Sequence, residues 1–354
     1  MDSLTQAVLG AAVQGAGLGK YQGRKAIFYG ALLGTLPDLD VFIHYDDPIS
    51  SMTYHRSFSH SLMVLVLLAA VMTWIIKKRW PDSPYSSSRL FYTITASLIT
   101  HPLLDACTAY GTQLLWPFMP TPQQWSAVFI VDPVYTVPLL LAVIAVLWRG
   151  IKTSTHRALV LALAWSTAYL VWGGYGQYHH EQRVKAFLES EGMTVQRIMA
   201  TPMPFNTLTF RVLAQTDDGN YIEAVSGWFD NRPPEYVRLP QGLDLAEPIR
   251  DEVLFKRLNW FSDGWIRVNQ EDNQLVVSDL RMGLGNSLSF RFVMAEYDGN
   301  NWNPVRPYRF GSGLRDVPAY LSYVWPRVRY GTPMPLKELV SEAEPAAPKA
   351  AREN

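Results

Sequence analysis

The stretch "HRSFSHS" at residues 55–61 stands directly before "LMVLVLLAAVMTWII" at residues 62–76, and this junction decides the fold that we predict. The second stretch carries no charge and is apolar on every side. It ends in "KKRW", a basic and aromatic stop that is typical of a membrane boundary. His55 and His60 do not contribute to the stability of a membrane helix, so imidazoles at its N-terminal end require a separate explanation. We therefore interpret residues 55–61 as part of a metal site.

The chain of 354 residues has two unlike parts, which meet near Gly176. Before that point it consists of apolar blocks that are flanked by Trp, Tyr, Lys and Arg, the usual interfacial anchors. Several blocks are slightly shorter than the roughly 20 residues that span a bilayer, so a large soluble helical core remains the alternative. After Gly176 the blocks vanish, and charged residues, proline and glycine become regular.

Charge and cysteine content exclude several classes of function. The chain has 31 basic and 31 acidic residues, which argues against a nucleic-acid partner because no basic excess is available to neutralise phosphates. Its one cysteine, Cys107, excludes an internal disulfide framework and a thiolate zinc site.

The apolar blocks predict a multi-pass α-helical membrane bundle of about five to six helices, followed by a C-terminal β-rich extra-membrane domain. Basic residues cluster in alternate loops, and the positive-inside rule then puts both ends of the bundle outside the cytoplasm. With this orientation, most of the imidazoles and carboxylates of the membrane part lie at one face of the bilayer. The six predicted crossings are residues 4–18, 25–37, 60–76, 90–105, 133–148 and 158–175.

We predict four segments: a helical membrane domain with a metal site (1–176), a helical connector (177–194), a β-rich outer domain (195–340) and a disordered tail (341–354). In the third segment, "TLTFRVLAQ" and "YIEAVSGWF" flank the hairpin signal "TDDGN". No catalytic motif occurs in it. Three roles therefore stay open for it, namely covering the mouth of the bundle, selecting substrate or recruiting a partner.

The candidate metal ligands fall in four short motifs. His101 and Asp105 are four residues apart on one predicted helix, so their side chains share a face. Each motif also has a structural reading, since a carboxylate can cap a turn or a helix and an imidazole can be interfacial. Imidazole and carboxylate without thiolate suit zinc, iron or manganese, and seven such groups suffice for two or three ions. The seven are Asp38, Asp40, His55, His60, His101, Asp105 and Asp132, of which Asp132 is also a candidate N-cap.

Five motifs in order resemble the membrane-bound metal-dependent hydrolase family (YdjM-like). They are "MDSLTQAVLGAA", "GALLGTLPDLD", "HRSFSHSL", "HPLLDACTAYGTQLLWPF" and "FIVDPVYTVPLLL", which together cover about residues 1–150. The segment "TPMPFNTLTFRVLAQTDDGNYIEAVSGWFD" resembles the extra-membrane tail of the long forms. The resemblance implies metal binding by the seven residues above. In one departure, Gln6 stands where family members commonly have histidine, and an amide is a weaker ligand that does not buffer protons.

From the motifs and the resemblance together we expect a hydrolase in the inner membrane that acts on a phosphate ester of a lipid or an amphiphile. The expected cofactor is a divalent metal, zinc by preference, with one to three ions. We assign catalytic roles to Asp38, His60 and Arg56, of which Arg56 holds a phosphate oxygen. The alternative is a metal-binding membrane protein without catalysis, such as a sensor, transporter or assembly factor, and Gln6 favours it.

Overall fold

The computed structural model describes residues 1–285, 287–311 and 317–341 and contains two compact units. The first unit comprises Met1–Tyr45, Ser51–Tyr178 and Thr201–Thr207, and the remaining described residues form the second. The predicted disordered tail, 341–354, lies outside the described residues except for Ser341.

The first unit is helical, and several of its helices begin where the sequence offers a cap. Asp2 accepts a hydrogen bond from the backbone N–H of Thr5, and Ser86 accepts one from that of Arg89. The α-helices up to the unit boundary are α1 (Ser3–Gln22), α2 (Lys25–Thr35), α3 (Pro48–Tyr54), α4 (Leu62–Arg79), α5 (Ser87–Ala106), α6 (Pro133–Arg149) and α7 (Thr153–Ser190), and short 3₁₀ helices cover Leu36–Phe42 and Phe58–His60.

Three glycines bring α1 and α2 into direct backbone contact. A Cβ atom added at Gly10 would lie 2.3 Å from the carbonyl oxygen of Gly30 and 2.7 Å from Cα of Gly34. No side chain fits there, so the two backbones approach as closely as small residues permit. This contact fixes the end of α2, from which the chain turns into the 3₁₀ helix Leu36–Phe42.

Apolar side chains from α1, α2, α4 and α5 fill one core of the helical unit. Leu18, Leu33, Leu65 and Leu98 are all buried in this cluster. A second core joins α1 to α6 and α7, with Leu139 and Leu159 fully buried. The helices that carry the predicted metal ligands are therefore held by packing on both sides of α1.

The prediction of five to six membrane crossings is wrong. Within the described chain, only α7 is long and apolar enough to cross a membrane, and α3 with α4 passes the same test only if this pair, bent by 46°, counts as one broken span. All six predicted segments contain helices, but apart from α7, which includes residues 158–175, these helices are individually too short or too polar. The 11 residues of α2, for example, rise about 17 Å, whereas the hydrocarbon core of a bilayer is about 30 Å thick.

The second unit contains two antiparallel sheets, each with four strands among the described residues. One has the order β1-β2-β3-β4 and the other β5-β6-β7-β8, so each is a meander of neighbouring strands. A buried ion pair joins Arg211 to Glu223, with Nε and Oε1 2.6 Å apart. The strands are β1 (Val195–Pro202), β2 (Thr209–Thr216), β3 (Asn220–Gly227), β4 (Glu235–Pro240), β5 (Ile266–Glu271), β6 (Gln274–Leu284), β7 (Ser287–Tyr297) and β8 (Trp302–Arg309), with helices α8 (Val253–Phe261), α9 (Val317–Tyr330) and α10 (Leu336–Ser341) and a 3₁₀ helix at Leu243–Ile249.

Candidate metal centre

Three elements of the helical unit bring four predicted ligands together. The 3₁₀ helix after α2 carries Asp38, the short 3₁₀ helix before α4 carries His60, and the last turns of α5 carry His101 and Asp105. One ligand atom from each of these four side chains lies within 4.8 Å of those of the others. His60, His101 and Asp105 are fully or almost fully buried, whereas the side chain of Asp38 is 22% exposed and marks the open side of the cluster.

The distances inside this group match those between ligands of one metal ion. Nε2 of His60 lies 3.2 Å from Nε2 of His101 and 3.2 Å from Oδ2 of Asp105. Oδ1 of Asp38 lies 3.2 Å from Nε2 of His101 and 3.5 Å from Nε2 of His60. Ligand atoms at about 2.0–2.2 Å from a zinc ion lie roughly 3–4 Å apart, so this group fits a metal ion.

The hydrogen bonds of the two imidazoles fix which nitrogen faces the cluster. Nδ1 of His101 lies 2.5 Å from the carbonyl oxygen of Gly34, which can only accept, so Nδ1 carries the proton. Oγ of Ser59 donates to Oδ2 of Asp40 at 2.7 Å and therefore accepts from Nδ1 of His60 at 2.9 Å. Each Nε2 atom then faces the other imidazole and two carboxylates. A metal ion held by these atoms, or a proton on an Nε2, balances the negative charge of the carboxylates.

A second group lies next to the first and shares one residue with it. Asp38, Asp40 and His55 bring ligand atoms within 4.8 Å of one another. Oδ1 of Asp40 lies 2.9 Å from Nδ1 of His55, and its Oδ2 accepts from the backbone N–H of Arg56 at 3.1 Å. Burial raises the pKa of Asp40, but the hydrogen bonds from His55 and Ser59 outweigh it, so the pKa lies below its usual range.

Arg56 is held against the cluster by an unusual backbone conformation. Its φ is 63°, a region that side chains rarely adopt, and backbone bonds to Asp40 and from Gln113 keep it there. Its Nε lies 3.1 Å from Oδ2 of Asp105, and its guanidinium carbon lies 4.6 Å from the ring centroid of Tyr110. The guanidinium therefore brings a positive charge to the edge of the four-residue group.

The beginning of α1 covers the buried side of Asp105. Nε2 of Gln6 donates to Oδ1 of Asp105 at 3.0 Å and to the carbonyl oxygen of His101 at 3.2 Å. The amino group of Met1 also bonds Oδ1 of Asp105. Oε1 of Gln6 is buried and has no hydrogen-bond partner. The residue at the position of the family histidine is thus in contact with the candidate metal centre.

Asp132, the seventh predicted ligand, belongs to neither group. Its Oδ1 accepts hydrogen bonds from the backbone N–H groups of Val134 at 2.9 Å and Tyr135 at 3.3 Å, as an N-cap of α6 does. Its Oδ2 accepts from the hydroxyl of Tyr169 at 2.9 Å. Burial raises the pKa of Asp132, and these hydrogen bonds oppose the rise. All three bonds are structural, so the structure gives Asp132 the capping role that the sequence also allowed.

Two residues at the centre were missed by reasoning from the sequence. Ser59 bridges Asp40 and His60, and Tyr110 packs on Arg56 while its hydroxyl donates to the carbonyl oxygen of Met52 at 2.8 Å. Ser59 lies within "HRSFSHS", and its position next to His60 in the sequence could have indicated a contact with that imidazole. Nothing in the local pattern marked Tyr110.

Comparison with known proteins gives a family and two relatives. The profile of the YdjM inner membrane protein family matches residues 1–180, about half of the chain, which confirms the resemblance drawn from the motifs. Inner membrane protein YbcI of Escherichia coli (strain K12) is 34% identical over 108 residues, covering 29% of this chain and 61% of the relative. The uncharacterized protein YfhP of Bacillus subtilis (strain 168) is 26% identical over 160 residues, covering 42% of this chain and 47% of the relative.

The chain therefore spans less than two thirds of either relative. No solved structure matches it significantly. Membership of an inner membrane protein family supports a location in the inner membrane.

Proposed function

Since this chain belongs to the YdjM inner membrane protein family, we propose that it is a metal-dependent hydrolase that acts on a phosphate ester of a lipid or another amphiphile. The observation that carries this proposal is the convergence of Asp38, His60, His101 and Asp105, each of which brings one ligand atom within 4.8 Å of those of the others. We take zinc as the ion, because imidazole and carboxylate groups are ligands that zinc accepts.

The neighbouring group supports a second ion. Asp38 belongs to both groups, and a second ion would be held by Asp38, Asp40 and His55. Such ions, when bound, would lower the pKa of a water molecule and neutralise negative charge on phosphoryl oxygens.

The side chains have separate tasks in this proposal. His60 and His101 bind through Nε2, because their Nδ1 protons are held by Ser59 and by the carbonyl of Gly34. Asp38 is the most exposed of the four side chains, and it would accept a proton from water through the carboxylate oxygen that does not hold an ion. Arg56 binds a non-bridging oxygen of the phosphate, and its contacts with Tyr110 and Asp105 keep the guanidinium in place.

An exposed apolar rim next to the acidic groups supports an amphiphilic substrate. Leu39, Val41 and Phe42 alternate with or follow Asp38 and Asp40 in the 3₁₀ helix, and they are 54%, 59% and 73% exposed. Phe58, next to Ser59, is 38% exposed. A charged centre with a collar of exposed apolar side chains suits a molecule with a polar head and an apolar tail, and it suits a membrane interface.

We assign the centre to the extracytoplasmic side of the inner membrane, together with the C-terminal domain. The support is the charge distribution on α4, which begins two residues after His60 and ends in Lys77, Lys78 and Arg79. In this proposal α3 and α4 form the one broken span. A reporter enzyme fused after Gly192 is expected to be active only outside the cytoplasm, and one fused at Arg79 only inside it. The reverse pattern contradicts this orientation.

The activity is tested with the full-length protein, purified in detergent and loaded with zinc. Phosphatidic acid, phosphatidylglycerol, an isoprenyl phosphate and a generic phosphodiester serve as substrates. We expect metal-stimulated release of phosphate or head group from at least one of them. We also expect its loss in Asp38→Asn and its retention in His44→Ala, which changes an exposed imidazole outside the two groups. Absence of release from all four substrates, with metal bound, contradicts the proposal.

The contact of Gln6 with Asp105 favours a second candidate, a metal-binding protein without catalysis. An amide does not take up a proton, so this position cannot act as an acid or base. Zinc uptake into proteoliposomes that is abolished in His101→Ala, without hydrolysis of any substrate, supports this candidate as a transporter. Hydrolysis that increases in Gln6→His supports the first candidate, because an imidazole there adds a proton acceptor.

A further inference from the structure

A groove on the helical unit lies apart from the candidate metal centre. It has a volume of about 870 Å³ and is bounded by α1, α2, α4, the α4–α5 connection and α5. It shares no residue with either metal group. Gln14, which lines it, follows Gln6 by eight residues on α1, about 12 Å along the helix axis. The groove is therefore a separate place for a ligand.

Most of the residues that line this groove are apolar or aromatic. Leu33, Leu90 and Ile94 are buried lining residues, and Met72 and Ile76 of α4 line it as well. Pockets that enclose a drug-sized molecule have volumes of about 300–1,000 Å³. One acyl chain with part of its head group is of that size, and apolar walls of this kind stabilise an acyl chain by removing it from water.

The mouth of the groove is basic and firmly built. Lys25 and Arg79 line it and are exposed to solvent, and Asp82 is the one acidic residue among its lining residues. Nζ of Lys77 donates to Oγ of Ser83 at 2.8 Å and to the carbonyl oxygen of Tyr85 at 2.5 Å. These bonds hold the α4–α5 connection in place as one wall of the mouth.

We propose that this groove binds an anionic phospholipid of the inner membrane. One acyl chain lies along the apolar walls, and the phosphate lies between Lys25 and Arg79. Two cations against one carboxylate favour a head group with net negative charge over a zwitterionic one, because the choline of a zwitterion is repelled by the same side chains. The proposal goes beyond the hydrolase function and does not depend on it.

The test uses full-length protein in a non-ionic detergent and native mass spectrometry to count bound lipid. Palmitoyl-oleoyl phosphatidylglycerol and palmitoyl-oleoyl phosphatidylcholine are added at equal concentrations. We expect phosphatidylglycerol to be retained in preference to phosphatidylcholine. Lys25→Gln combined with Arg79→Gln is expected to weaken that retention by about tenfold or more. The matched control is Lys152→Gln with Arg157→Gln, which removes the same charge from exposed residues outside the groove and is expected to retain the lipid.

A second variant keeps the charge and fills the groove. Ile76→Trp adds volume to a lining position, and we expect it to lose the lipid while Lys25 and Arg79 are intact. Size-exclusion elution and thermal unfolding, compared with the wild type, serve as the folding check. Equal retention of the two lipids by the wild type overturns the proposal. So does equal loss of lipid in the charge variant and its control, or retention by Ile76→Trp in protein that elutes and unfolds as the wild type does.

Discussion

Ser59→Ala offers a sharp test of how the metal centre is oriented. The hydroxyl donates to Oδ2 of Asp40 at 2.7 Å and accepts from Nδ1 of His60 at 2.9 Å. Without it, His60 loses the acceptor that keeps the proton on Nδ1, and Nε2 no longer presents a lone pair in every molecule. Loss of such an outer partner typically costs about 10–100-fold in metal affinity. We expect zinc binding to weaken by that factor in Ser59→Ala.

The assay is competition for zinc with a chelator of known affinity, and Ser57→Ala is the matched control. Ser57 lies two residues away, and its hydroxyl donates to the carbonyl oxygen of Tyr54 at 2.5 Å rather than to a candidate ligand. Ser59→Thr, which keeps a hydroxyl, is expected to recover most of the affinity. Unchanged zinc affinity in Ser59→Ala, or an equal loss in Ser57→Ala, refutes the reasoning.

Two further substitutions separate packing and capping from metal binding. Asp132→Ala removes the cap of α6 and is expected to cost about 0.5–2 kcal/mol of stability in thermal unfolding while zinc content stays the same. Loss of zinc in that variant instead makes Asp132 a ligand. Gly10→Ala puts a Cβ atom 2.3 Å from the carbonyl oxygen of Gly30 and is expected to reduce the yield of folded protein severely, measured by size-exclusion chromatography. A normal yield and melting temperature contradict the close packing of α1 on α2.

The sequence was sufficient for those parts of the site that depend on local spacing. His101 and Asp105 share a face because they are four residues apart on α5, and Asp38 and Asp40 are close because one residue separates them in a tight turn. The presence of a helix in each apolar block also follows from its composition. These features need no knowledge of tertiary packing.

Other features depend on contacts between distant segments of the chain and cannot be predicted from local sequence. Gly34, 67 residues before His101, sets the tautomer of that imidazole through its carbonyl oxygen. Apolar composition alone overestimates the number of crossings. Helix length excludes α2, which has 11 residues, and α6, which has 17. The role of Asp132 also depends on tertiary structure. A carboxylate directly before a helix fits the sequence pattern of a metal ligand and that of an N-cap equally well.

Elemental analysis of the purified full-length protein tests the metal centre most directly. The wild type and His60→Ala are compared after dialysis against zinc and then against buffer, with His44→Ala as the control for a histidine outside both groups. Nε2 of His60 lies within 3.5 Å of atoms from His101, Asp105 and Asp38, so its removal opens the group on the side where those ligands meet. We predict at least one zinc ion per chain in the wild type and in His44→Ala, and little or none in His60→Ala. Equal zinc in all three proteins contradicts a metal centre at these residues.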